Sequence, residues 1–191
     1  MSDPLPGDRL APRERHGLRP SWITYRHELN AAEQENLAAG FAWGFAELRR
    51  DILGEAFLRA LHKRMFGKVW RGAGQYRTSD ATIGIEAWRI PEAVRLLVDD
   101  ARHWRANRTY DRDESAVRFH HWLVLIHPFA TGNGRHARLM ADLLVVKSGG
   151  ERFTWGRGNP AGPEENQALY AAALSRADAN DLAPLIAFAR S

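Results

Sequence analysis

His127-Pro128-Phe129-Ala130-Thr131-Gly132-Asn133-Gly134-Arg135-His136-Ala137-Arg138 divides the second half of this chain. An apolar helical pattern with Ala116, His120, Leu123, Val124 and His127 on one side runs into it. Another, with Leu139, Leu143, Leu144 and Val146, leaves it. Pro128 stops the first helix, and the second begins near Asn133. Two apolar helices joined by so short a turn are expected to pack together in the middle of a helical domain.

The charge of the turn is unusual. A helix N-terminus already carries partial positive charge from its unpaired N–H groups and normally attracts acids. Here Arg135 and Arg138, three residues apart, add to that field in the first turns. An anion would balance it, and Gly132 and Gly134 would let backbone amides approach that anion closely. His127 stands beside this cradle, and its ordinary pKa suits proton abstraction near neutral pH. A base next to a bound phosphate suggests phosphoryl or nucleotidyl transfer to a hydroxyl.

Plainer readings compete at each position. A lone histidine on an apolar helix face is usually a core residue. Phe129, between Pro and a glycine turn, reads as an anchor to the core. Asn133 can cap the following helix, and also hydrogen-bond a phosphate oxygen. Arg138 and Asp142 could form an ordinary i,i+4 ion pair, which leaves Arg135 and two glycines unexplained. His120, His121, His127 and His136 lack the spacing of a helical zinc site, so His120 and His121 read as structural. The glycine spacing is neither that of a P-loop nor that of a dinucleotide fold.

Outward from the turn, helical periodicity predicts segments over 31–50, with Asn30 as N-cap and Glu33 completing a capping box, and over 55–66. Pro91 and Asp113 mark two further helix starts, and 164–179 and 182–189 complete the set. Residues 78–90 lack helical period and read as an extended or hairpin-like flap. The expectation is an all-α domain with one short β-hairpin flap. Residues 1–20, with four prolines among charges, read as a mobile arm, and 21–191 as a single domain.

Composition sets outer limits. Hydrophobic content of 45% suits a globular domain, and no apolar run approaches the roughly 18 residues of a membrane span. The absence of cysteine excludes disulfides and thiolate metal sites, and the N-terminus lacks a secretory layout, so a cytoplasmic location is expected. The net charge of +4 and pI near 9.8 raise the question of nucleic acid. Arginines scattered among acids, with lysine only at Lys63, Lys68 and Lys147, form no basic track, which argues against direct binding.

The pattern His127-Pro128-Phe129-x-x-Gly132-Asn133-Gly134-Arg135-x-x-Arg138 resembles the HPFx[D/E]GNGRxxR signature of the Fic (Fic/Doc) family. Segments 57–77, 114–138 and 153–155 resemble its bacterial subfamily called mobile mystery protein B, which is associated with mobile elements and typically neighbours a helix-turn-helix partner. The resemblance implies a helical core that transfers AMP from ATP, with Mg²⁺, to a hydroxyl of a target protein. It implies a toxin-antitoxin type toxin with an antitoxin or helix-turn-helix regulator as partner. By matching positions, His127 would be the base, Phe129 the anchor and Gly132, Asn133 and Gly134 the anion cradle. Arg135 would contact the triphosphate and Arg138 its terminal phosphate. Tyr76, Arg77, Thr78, Thr82 and Ile83 would belong to the flap that docks the target's backbone as an added strand.

Thr131 departs from the pattern, because the family's usual acid there carries Mg²⁺ and a neutral hydroxyl is a weaker ligand for a hard cation. AMP transfer with weakened metal binding, transfer of another phosphate-linked group, and nucleotide binding without turnover all follow as readings. Many relatives also block the second arginine with a Glu in an [S/T]xxxE[G/N] helix. Thr24-x-x-x-Glu28 has part of that spacing, but Leu29 follows it, and a capping role for Glu28 competes.

Overall fold

The pair of helices flanking the turn, α5 (Arg112–Ile126) and α6 (Asn133–Lys147), forms the centre of the molecule. The computed structural model describes residues 9–191. Around the central pair stand α1 (Pro12–Arg15), α2 (Arg26–Ala46), α3 (Glu55–Phe66), α4 (Ile90–Asn107), α7 (Pro163–Asp178) and α8 (Ala183–Arg190). Both central helices are apolar on two sides because both sides are covered. Phe119, Leu123, Ile126, Met140 and Leu143 face the core shared with α3 and α4. Ala116, Val117, Ala141 and Val145 face a second core built by Phe153, Tyr170, Leu185 and Phe188. A helix buried this way loses its amphipathic stripe, which is the expected signature of a central position.

Among the described residues the fold is all α, with three isolated bridges and no named strand. No helix among them is long and apolar enough to cross a membrane. The helix over 55–66 and the end at Lys147 fall where periodicity puts them. Asp111 caps α5 through the Glu114 amide at 2.7 Å.

Three expectations need correction. Helix α2 starts at Arg26, ahead of the Asn30 cap, because Glu28 accepts from the amides of Thr24 (2.7 Å) and Tyr25 (3.0 Å) and closes the box there. Residues 9–20 are pinned rather than mobile: Leu10 N–H donates to Thr24 O, Arg19 N–H to Val69 O and Arg71 N–H to Gly17 O, while Leu10 and Leu18 are buried with Ile23, Leu29 and Val69. Residues 1–8 of that expected arm lie outside the described residues. The third concerns the flap, where no hairpin forms. Tyr76 pairs with Phe129 in a single bridge, bends follow, and a 3-10 turn at Ala87–Arg89 leads into α4. The guanidinium of Arg77 takes the carbonyls of Ser79 and Ile85, so a side chain holds the segment where a cross-strand ladder was expected.

Candidate active site

The turn is closed from within and braced from α3. Asn133 is buried, its Oδ1 accepting from Phe129 N–H (2.9 Å) and its Nδ2 donating to Phe129 O (2.7 Å). Its side chain therefore shapes the backbone rather than facing an anion. Phe129 is 1% exposed and stacks on His62 at 3.7 Å between ring centroids. His62 accepts from Gly74 N–H at Nδ1 (2.9 Å), which leaves Nε2 to donate to Thr131 O at 2.9 Å. Burial holds its pKa down to about 4, so the ring is neutral as this tautomer requires.

Glycine is demanded at Gly132 and permitted at Gly134. The first has φ +76, and a Cβ there would run into the Phe66 ring. At Gly134 a Cβ would meet nothing within 4 Å, so no protein neighbour requires a glycine there. Open space at the first turn of α6 is what a ligand approaching the backbone amides would use.

His127 ends α5 in the left-handed region (φ +51), a conformation costing roughly 1–2 kcal/mol for a residue with a Cβ. The structure over-determines it from the flap. Arg77, its side chain 3% exposed, donates from Nε to His127 O (2.8 Å) and from Nη2 to Ile126 O (3.4 Å), and its own N–H donates to Pro128 O (2.9 Å). Arg77 is thus an internal tether of the loop and not part of an exposed docking face. Gly84 of the flap (φ +107) passes over the histidine, where an added Cβ would sit 2.6 Å from His127 Cβ. Burial, and behind it the Arg77 charge, lowers the pKa of His127 against the pull of the Val124 carbonyl. Its Nδ1 is buried without a hydrogen-bond partner. The lowered pKa leaves the ring neutral near pH 7.

The two arginines diverge. Arg135 reaches to α2, its Nη1 2.8 Å from Glu33 Oε2, with its guanidinium over Phe66 at 4.9 Å. Arg138 lies over Tyr170 at 4.3 Å and near Trp155 at 5.7 Å. It forms no ion pair with Asp142, whose carboxylate instead accepts from Trp155 Nε1 (3.0 Å) and stands 3.8 Å from Arg152. The ordinary i,i+4 explanation of Arg138 is therefore set aside. His120 bonds the Tyr170 hydroxyl (3.0 Å), His121 pairs with Asp178 (2.8 Å) and His136 Nε2 donates to Leu58 O (3.0 Å), so each serves packing.

Sequence reasoning missed Glu33, His62 and Gly84, and the aromatic bed of Tyr170 and Trp155. Glu33, read as a capping acid, instead holds Arg135 and accepts from Trp70 Nε1 at 2.8 Å, while Glu28 takes the capping role that was one of its two readings. One signal for His62 was available: it interrupts the apolar stripe of α3 between Leu61 and Met65.

Thr78, Thr82 and Ile83 are exposed, while Tyr76 packs its ring on Phe129 with its hydroxyl buried. A hard cation such as Mg²⁺ wants anionic oxygens. The turn offers the Thr131 hydroxyl, its carbonyl is already held by His62, and the carboxylate of Glu33 is engaged by Arg135 and Trp70. Among the described residues no group of three or more His, Asp or Glu gathers to hold a metal. The side chains present do not fit a cation held by the protein itself.

A helical bundle whose central turn carries His127 beside an open helix N-terminus and two arginines defines the class. The Fic/DOC family model matches residues 52–145, so the chain carries a Fic/DOC family domain. Protein adenylyltransferase fic-1 of Caenorhabditis elegans is 33% identical over 132 residues, 67% of this chain and 25% of that protein. The chain thus spans about a quarter of the length of the curated relatives it matches. A solved Fic-1 structure from C. elegans superposes with a TM-score of 0.67 at 25% identity, covering 96% of this chain and 55% of that one. The N-terminal Fic domain of a Bartonella quintana effector, solved with bound ADP, shares the fold (TM-score 0.68, 17% identity, 89% of this chain and 86% of that one).

Proposed function

We propose that this chain is a protein adenylyltransferase that moves AMP from ATP to a Ser, Thr or Tyr hydroxyl of a target protein. The observation that carries the reading is the neutral, half-buried His127 standing in the same turn as an open helix N-terminus and two arginines. The hydroxyl oxygen attacks the α-phosphorus of ATP while its proton passes to Nε2 of His127. The bond from the α-phosphorus to the bridging oxygen breaks, and pyrophosphate leaves with the electron pair. Amides at the start of α6 receive phosphate oxygens; Arg135 exchanges Glu33 for the triphosphate, and Arg138 meets its terminal phosphate. The exposed flap, including Thr78, Thr82 and Ile83, receives the target's backbone. The adenylyltransferase name of the C. elegans relative supports the chemistry. The resemblance to the mobile mystery protein B subfamily supports a toxin controlled by a separately encoded antitoxin.

The test is incubation of labelled ATP with host lysate and either the wild type or His127→Ala. Loss of a general base should cut labelling by at least about 100-fold, and equal labelling would overturn the proposal. Thr131 favours a second reading, a nucleotide-binding protein with little turnover. Calorimetry with ATP decides between them: binding that ignores Mg²⁺, without turnover, supports the second, and Thr131→Asp should then confer Mg²⁺-dependent labelling.

A further inference from the structure

At the opposite end of α5 from His127, on the order of 20 Å along the helix, the chain forms a cavity of about 760 Å³ between the end of α4, the start of α5 and the end of α6. Leu53 and Leu144 contribute an apolar floor, and Trp104 and Tyr110 an aromatic wall with ring centroids 5.6 Å apart. Arg105, Arg108 and Arg112 line the same space. Their charge is incompletely offset. Asp51 is hydrogen-bonded to Arg102 at 2.7 Å, and its field reaches Arg105 as well. Asp111, also in the lining, spends a carboxylate oxygen on the Glu114 amide. Arg112 gives one N–H to Gly149 O at 2.7 Å and keeps its other donors. The backbone N–H of Arg108 donates to Trp104 O, but its guanidinium makes no hydrogen bond or ion pair with any described residue.

Arg108 is also conformationally costly. It occupies the left-handed position that ends α4 (φ +51), where glycine ordinarily stands. Among the described residues four non-glycine positions have positive φ. His127 and Trp155 belong to the candidate active site, and Asn180 is a residue type that tolerates the region. Arg108 is the bulky exception, and the residue kept at that cost lines the cavity. Residues held in sparsely populated backbone regions cluster at binding sites.

We propose that this cavity is a second ligand site, for a small phosphate-bearing molecule with a flat ring, of the mononucleotide class. Guanidinium forks match phosphate oxygens in pairs. The volume lies within the range of small-molecule sites, and the aromatic wall over an aliphatic floor suits a planar ring. The site does not depend on the adenylyltransferase reading and shares no residue with the central turn.

Photolabelling of the full chain with 8-azido-AMP, followed by peptide mapping, tests it. The expected result is saturable labelling within residues 101–116, competed by inorganic phosphate. Arg108→Gly should lower that labelling at least tenfold while labelling near residues 127–138 is unchanged. Because glycine suits the left-handed position, the thermal midpoint of this variant should hold or rise, so unfolding cannot imitate the loss. Three results would overturn the proposal: no saturable labelling within 101–116, labelling indifferent to Arg108→Gly, or equal labelling by 8-azidoadenosine, which lacks the phosphate.

Discussion

Glu33 Oε2 stands 2.8 Å from Arg135 Nη1 across 102 positions of sequence, so the first arginine of the central turn already holds an anion. A bound triphosphate has to displace that carboxylate. Arg135 is 42% exposed, which places the pair among those worth roughly 0.2–1 kcal/mol. Glu33→Gln, which keeps an acceptor for Trp70, should raise ATP affinity about two- to fivefold, and less at high salt. Calorimetry measures it; unchanged or weaker affinity would show that the carboxylate does not compete.

The two glycines of the cradle should separate stability from binding. Gly132→Ala meets both a positive φ and the Phe66 ring, and should cost about 2–4 kcal/mol by urea unfolding. Gly134→Ala meets nothing within 4 Å, so its stability should change by less than about 1 kcal/mol. Its methyl would nevertheless intrude where phosphate approaches the amides, and nucleotide affinity should fall at least about tenfold. If both variants behave alike, the distinction between the positions fails.

Gly84 couples the flap to the base. A Cβ there would lie 2.6 Å from His127 Cβ and 2.8 Å from Arg77 Nη2, and φ is +107. Gly84→Ala must shift the flap or the histidine, and a displacement of about 1 Å at a reacting group can cost about 100-fold. Target labelling should drop at least about tenfold with helical circular dichroism retained. Full labelling would mean that the flap moves freely over His127.

Buried histidines set the response to acid. Burial holds His62 down to about 4 and His120 to about 3, and pushes His136 well below its ordinary value of 6.5. The unfolded chain therefore takes up protons first as pH falls. The stability these groups contribute is fully present above about pH 6.5 and is lost towards pH 4, with His62 alone accounting for about 3 kcal/mol. Asp142 works in the opposite sense, since burial raises its carboxyl to about 6 and the folded state binds that proton more readily below it. Three histidines outweigh one carboxyl, so the urea midpoint should fall between pH 7.5 and pH 5. A flat or rising midpoint would contradict this balance.

The central turn and the two helices beside it were legible because their cause is local. Pro128 stops a helix wherever it stands, glycine spacing shortens a turn, and apolar positions at helical spacing declare a buried face. The same local rules located α3 and the ends of α6 and misplaced the start of α2, because Asn30 with Glu33 matches the capping-box pattern and Tyr25 with Glu28 does not. Tertiary contact made the choice: Trp70 and Arg135 claim Glu33, which leaves Glu28 to the amides of Thr24 and Tyr25.

Sequence by itself determined that this is a helical domain built on a histidine, an open helix N-terminus and two arginines. Only the tertiary structure decided how that turn is held and what its charges meet. His62 comes from 69 positions away to bond Thr131 O, Arg77 from 50 positions away to bond His127 O, and Tyr170 from α7 to lie under Arg138. None of these partners shares a helix or a turn with the residue it serves. Periodicity and capping report on neighbours along the chain, whereas the orientation of a buried ring or guanidinium is fixed by whichever distant backbone group satisfies it.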